Sequence, residues 1–139
     1  MQVEWLILAD YVEIIGGKLY LMGGGWDVLT VNAAFPLARP VGLAAAFSVA
    51  WNETNQRHNV EIDIQTDDGQ SVGNVKGQFE VGRPVGVKAG QDQRFQLAAN
   101  LPMNLPAPGT YVIVARVEGQ EQRRVPFNVS GPMVQAKEA

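Results

Sequence analysis

Apolar and polar residues alternate with a period of two over much of the chain, the signature of strands buried on one face. In His58–Gln65, Val60, Ile62 and Ile64 alternate with Asn59, Glu61, Asp63 and Gln65. Thr66-Asp67-Asp68-Gly69-Gln70 follows as turn chemistry, and Val75–Val81 alternates again, so the two runs predict a hairpin. Gly82–Asp92 has no periodicity and reads as a loop. Arg94–Leu101 is a further strand, and prolines 102, 106 and 108 predict a rigid connection after it. Tyr111–Glu118 turns at Gly119-Gln120 into Gln122–Val129, where Pro126 marks an edge or a bulge.

The first half is less regular. Gln2–Ile15 is rich in β-branched and aromatic residues, Gly16-Gly17 turns the chain, and Lys18–Met22 pairs back. Gly23-Gly24-Gly25 interrupts before Val28–Val31, Ala33–Pro40 is a crossing loop, and Val41–Trp51 is a long strand. The pattern predicts about eight strands and no helix, an all-β, two-sheet antiparallel sandwich. One domain over residues 1–129 and a frayed tail over 130–139 are expected.

Three strands are apolar on both faces. Val3–Ala9 carries Val3, Trp5, Ile7 and Ala9 on one side and Leu6 and Leu8 on the other. Val41–Trp51 sets large odd-numbered residues against small, uncharged Gly42, Ala44, Ala46, Ser48 and Ala50. Tyr111–Val117 has Val112 and Val114 opposite its apolar odd positions. A two-layer sandwich hides one face per strand, so an uncharged outer face needs a cover. The cover is either a loop of the same chain, such as 33–40 or 82–92, or another subunit. Ala44, Ala46, Ala50, Val112 and Val114 are therefore the predicted contact face for a second copy or a protein partner, with a homo-oligomer expected.

Composition narrows the function classes. The 139 residues are about one domain, and 15 Gly with 8 Pro suit a turn-rich fold. A net charge of −3 argues against a domain that neutralises phosphates, so no nucleic-acid partner is expected. The absence of cysteine removes disulfides, thiolate metal sites and Cys nucleophiles. The apolar opening is broken by Glu4, Asp10 and Glu13 and lacks a basic segment, which does not read as a signal peptide. No apolar run is long enough to span a bilayer, so a cytoplasmic protein without a membrane partner is expected.

Candidate chemistry is sparse. Gly23-Gly24-Gly25-Trp26 lacks the Lys-Ser/Thr and helix of a phosphate loop and reads as a bend. His58, the single histidine, reads as a solvated loop residue, and one histidine without cysteine makes no transition-metal site. Asp10, Asp27, Glu53, Asp67, Asp68 and Asp92 fall in loops or at strand ends, where a pair could do acid–base work or gather Ca²⁺. Asn128-Val129-Ser130 matches a glycosylation sequon and reads as a chance match at a strand end. Arg116, Arg123 and Arg124 are expected in cross-strand pairs with Glu118 and Glu121. Trp26, Trp51 and Asn55 form the alternative site, a small-ligand or carbohydrate loop at the sandwich ends. No cofactor and no catalytic residue are assigned.

Leu8-Ala9-Asp10-Tyr11, Gly17-Lys18-Leu19 and Gly23-Gly24-Gly25-Trp26 resemble the opening of a family of small bacterial proteins of unknown function. Leu105–Tyr111 and Arg124-Val125-Pro126-Phe127 resemble that family's end. Pro108-Gly109-Thr110-Tyr111 is also similar to the last hairpin of immunoglobulin-like domains. The resemblance implies an immunoglobulin-like sandwich and brings no activity. The expected function is a non-enzymatic module that self-associates or binds a protein through an apolar sheet face.

Overall fold

A computed structural model describes residues 1–132, and these residues are all-β. Their ten strands are β1 (Gln2–Ala9), β2 (Tyr11–Ile15), β3 (Lys18–Met22), β4 (Val28–Thr30), β5 (Leu37–Val49), β6 (Arg57–Thr66), β7 (Ser71–Glu80), β8 (Gln93–Leu105), β9 (Gly109–Val117) and β10 (Gln120–Ser130). They form a three-stranded sheet, β1-β5-β8, a five-stranded sheet, β4-β10-β9-β6-β7, and a separate two-stranded sheet, β2-β3. Pairing is antiparallel except between β4 and β10, which run parallel.

The period-two pattern places the core between the two larger sheets. Leu43, Ala45 and Phe47 of β5 meet Ile62 and Ile64 of β6 and Ile113 and Ala115 of β9 in one buried cluster. The predicted hairpins recur with small boundary shifts: β6 pairs with β7, and β9 with β10. The turn between β9 and β10 holds Glu118 at φ 54° and Gly119 at φ 78°, both left-handed, as a two-residue hairpin turn requires.

Four expectations need correction. Pro102 lies inside β8 rather than ending it, directly opposite Pro40 of β5. Neither proline has an N–H to give, so the pair fits a position where the two strands exchange no hydrogen bond. β1 and β2 are separate strands: Asp10 N–H donates to Met22 and Gly23 carbonyls, and the chain leaves the three-stranded sheet there. A bulge between Val3 and Trp5 changes the parity of β1, so Val3 joins Leu6 and Leu8 against the core while Trp5 faces outward. Finally, the sandwich extends past residue 129, since Ser130 ends β10 and its carbonyl accepts from Val31 N–H. The rest of the expected tail, 133–139, lies outside the described residues.

Candidate functional site

The small-residue face of β5 is covered by the chain itself. Register sets Ala44 between Ile7 of β1 and Ala98 of β8, and Gly42 between Ala9 and Asn100. Over this surface lies the β2-β3 hairpin, with Val12 packed on Ala9 and Ala44, and Trp5, Leu19 and Ala98 around them. The small side chains are what allow the approach. A Cβ on Gly42 would stand 3.0 Å from the Tyr11 carbonyl carbon and 3.1 Å from Val12 N. Asn100 then fastens the strand: Val12 N–H donates to its Oδ1 at 3.0 Å, and its Nδ2 donates to the Val12 carbonyl at 2.8 Å. Gln96 adds a bond from Nε2 to the Gly17 carbonyl at 2.8 Å.

This arrangement relocates the predicted contact face. Ala44 and Ala46 are 0% exposed within the single chain, and Ala44 is covered by the hairpin over 11–22 rather than by loop 33–40 or 82–92. Ala50 is half-buried, its N–H bonded to Glu53 Oε1 beside the short 3-10 turn Trp51–Glu53. Val112 and Val114 lie in the other sheet, so they share no surface with the alanines. Val114 is 0% exposed, between Asp63 of β6 and Arg124 of β10.

The outer face of the five-stranded sheet is closed by polar side chains. Asp63 accepts from Ser71 Oγ at 2.6 Å, Gln65 Nε2 at 2.7 Å and Asn74 Nδ2 at 3.0 Å. Burial pushes this carboxyl up, but those hydrogen bonds and the nearby Arg116 charge outweigh it, holding the group below the usual aspartate range. Arg116 pairs with Glu61 at 3.2 Å and Arg124 with Glu121 at 2.8 Å, whereas Arg123 donates to the Glu4 carbonyl. Sequence reasoning passed over Asp63; its signal was the amide and hydroxyl residues at matching positions of β6 and β7.

His58 is buried rather than solvated. Its parity with Val60 and Ile62 turns it toward the core, where its ring packs on Phe79. Nε2 lies 2.7 Å from the Glu53 carbonyl oxygen and Nδ1 3.3 Å from Glu118 Oε1. The Glu118 carboxylate also accepts the Asn59 N–H, so it serves the turn rather than an arginine.

The alternative loop residues do not converge. Gly25 N–H donates to the Leu8 carbonyl, which fixes Trp26 at the end of the sandwich where β1 finishes, edge-on to Phe127. Trp51 follows β5 at the opposite end, where β1 begins, and lies under the Arg83 guanidinium at 3.7 Å. Asn55 is close to Trp51 in sequence, held at φ 60° with its N–H on the Val81 carbonyl. The Trp26 indole N–H is buried without an acceptor among the described residues. No cluster of three or more metal-ligating side chains occurs among the described residues.

What remains exposed and apolar is the cover itself. Among the described residues, seven large hydrophobic side chains are exposed, and five of them are Tyr11, Ile15, Tyr20, Leu21 and Met22. The hairpin turns Val12 and Leu19 inward, and Tyr11 opposite Met22, Glu13 opposite Tyr20 and Ile15 opposite Lys18 outward. Met22 is 71% exposed and Tyr20 52%. Sequence reasoning paired these strands but did not separate the hairpin from the sheet beneath it.

Fold and surface together define a small all-β domain in which a sandwich carries a third, two-stranded layer. The chain belongs to a family of unknown function, DUF6941, which its residues 4–130 match. No curated protein matches it. Among solved structures it is similar to a glycosyl hydrolase family 2 member from Bacteroides cellulosilyticus, at 10% identity and TM-score 0.45, over 67% of this chain and 13% of that one. It is similar to the alkylpurine DNA glycosylase AlkC of Pseudomonas fluorescens at 15% identity and TM-score 0.39, over 74% of this chain and 27% of that one. The chain thus spans a small fraction of both. A CARDB domain from Pyrococcus furiosus is similar at 17% identity and TM-score 0.35, over 95% of this chain and 93% of that one. None of these likenesses carries an activity here. No helix of the described residues is long and apolar enough to cross a membrane.

Proposed function

We propose that this protein is a non-enzymatic recognition module that associates with itself or with a protein partner through the outward face of the β2-β3 hairpin. The supporting observation is the concentration of exposed apolar side chains on that one ribbon, in a molecule whose five-stranded sheet carries a polar network around Asp63 on its outer face. The buried titratable side chains Asp63 and His58 are engaged with their neighbours, which favours recognition over catalysis. The module would act in a bacterial cytoplasm, without nucleic-acid or membrane partners. The loop-end ligand reading loses its support, because Trp26 stands at the other end of the sandwich from Trp51 and Asn55.

The energetics set the grade of interaction. Tyr11, Ile15, Tyr20 and Met22 are already partly buried, so each gains roughly 1 kcal/mol on full burial. Counted over both copies of a self-association, about 8 kcal/mol falls inside an association cost of roughly 4–15 kcal/mol and leaves no secure surplus. Side-chain burial alone therefore gives a weak contact, and a stable one needs hydrogen bonds as well. The test replaces Tyr11, Ile15, Tyr20 and Met22 with serine and compares solution mass and co-purifying proteins with wild type. The variant is expected to stay folded and lose its associations; a wild type without any association, or a variant that keeps all of them, would refute the proposal.

A further inference from the structure

The missing hydrogen bonds can be traced on the hairpin backbone. Gly16 at φ 58° and Gly17 at φ 77° form a two-residue turn of the mirror-image class, whose flanking residues Ile15 and Lys18 exchange hydrogen bonds. Bonded pairs recur at every second position, so Glu13–Tyr20 and Tyr11–Met22 are bonded as well. Val12 and Ile14 on β2, and Leu19 and Leu21 on β3, therefore direct their N–H and C=O groups away from the hairpin. On the β2 side, which lies over β8, Asn100 takes both groups of Val12, and those of Ile14 meet no partner among the described residues. On the β3 side the outward groups of Leu19 and Leu21 meet no partner among the described residues, and β3 pairs with no strand other than β2.

Other sheet edges are managed differently. β1 gives its Val3 N–H to Gln122 and its Glu4 carbonyl to Arg123. β4 has three residues, β8 carries Pro102, and β7 lines its outer face with Asn74, Lys76, Gln78 and Glu80. Among the described residues, β3 is the edge that leaves two ladder positions open beside exposed Tyr20, Leu21 and Met22.

We propose that β3 pairs through this edge with β3 of a second copy, antiparallel and centred on Tyr20. The inference rests on the hairpin being the recognition surface and names what it recognises: edge pairing brings Tyr20 and Met22 of β3 against the other copy, while Tyr11 and Ile15 on β2 stay outside this contact. In this register Leu19 stands opposite Leu21 of the other copy, and the two-fold repetition gives two such pairs and four backbone hydrogen bonds. Tyr20 meets Tyr20 of the other copy, and Lys18 meets Met22, so no like charges oppose one another. Glu13 and Lys18 leave each hairpin neutral, and two copies approach without net repulsion at this surface. A strand that complements itself about a two-fold axis makes a closed dimer rather than a fibre.

The test uses Tyr20→Lys and Tyr20→Glu in the full chain, read by sedimentation across a concentration series. Wild type is expected to dimerise. Each variant alone sets two like charges against each other at the axis and is expected to dissociate about tenfold more readily or worse, while the equimolar mixture regains the dimer. Circular dichroism checks that the half-exposed position leaves the fold intact. A monomeric wild type overturns the inference, as do variants that dimerise like wild type or a mixture no tighter than its components. A monomeric wild type whose protein partner is lost on serine substitution of the hairpin overturns self-pairing but leaves the recognition surface standing. A wild type that neither dimerises nor holds a protein partner removes the surface itself.

Discussion

Replacing Asn100 with alanine removes one side chain and unfastens the third layer. Two hydrogen bonds disappear, one to Val12 N–H and one to its carbonyl, at 3.0 and 2.8 Å. Each bond is worth about 1 kcal/mol net, and a buried group left without a partner costs roughly 1–3 kcal/mol. Val12 is 1% exposed, which raises the cost, but Asn100 reaches solvent, so water entering its place recovers part of it. The expected destabilisation is roughly 1–3 kcal/mol, with the hairpin opening ahead of the sandwich. Urea titration gives the global value, and amide hydrogen exchange at Val12 reports the local opening. Gln96→Ala is the control, because its bond to the Gly17 carbonyl is exposed and should be worth no more than about 0.5 kcal/mol. If Asn100→Ala costs less than about 0.5 kcal/mol and Val12 exchanges as slowly as in wild type, the clamp has no energetic role.

Other perturbations test the layers separately. Gly42→Ala sets a methyl against the Tyr11 backbone and should cost about 1–3 kcal/mol in a thermal melt; an unchanged melting temperature would show that the hairpin rides freely over β5. Ala44→Arg buries a charge beneath the hairpin and should cost more than about 3 kcal/mol, whereas Tyr20→Ser should leave the melt within about 1 kcal/mol of wild type; the reverse order would mean the covered and open faces are misassigned. Asp63 has a lowered pKa in the fold, so its charge contributes stability above the unfolded value near 4, lost as pH falls through the lower folded value. The stability difference between wild type and Asp63→Asn should therefore hold from neutral pH to about pH 5 and shrink in more acid solution; a difference that does not vary down to strong acid would contradict it.

Much of the fold was legible because alternation is a local signal. β6, β7, β9 and β10 declare themselves through residues such as Val60, Ile62 and Ile64, and even the buried His58 follows their parity. The sequence also showed that β5 needs a cover on its alanine face. Which segment provides it was not legible, because that choice depends on the chain turning out of the sheet at Asp10, a tertiary event without a periodic signature. The Glu4 bulge hid the true faces of β1 in the same way: one extra residue exchanges inside and outside. Val114 looked like an exposed apolar residue until Asp63, Asn74 and Arg124 were brought around it by strands far apart in sequence.

A photoreactive residue in place of Tyr20, compared with one at Asn59 on the opposite sheet, reads out directly which surface meets a partner. Irradiation in cells should yield a discrete protein adduct from position 20, of doubled mass if the partner is a second copy, and none from position 59. An unmodified chain at position 20, or adducts of equal yield at both positions, would contradict the assignment of the hairpin as the surface through which this protein acts.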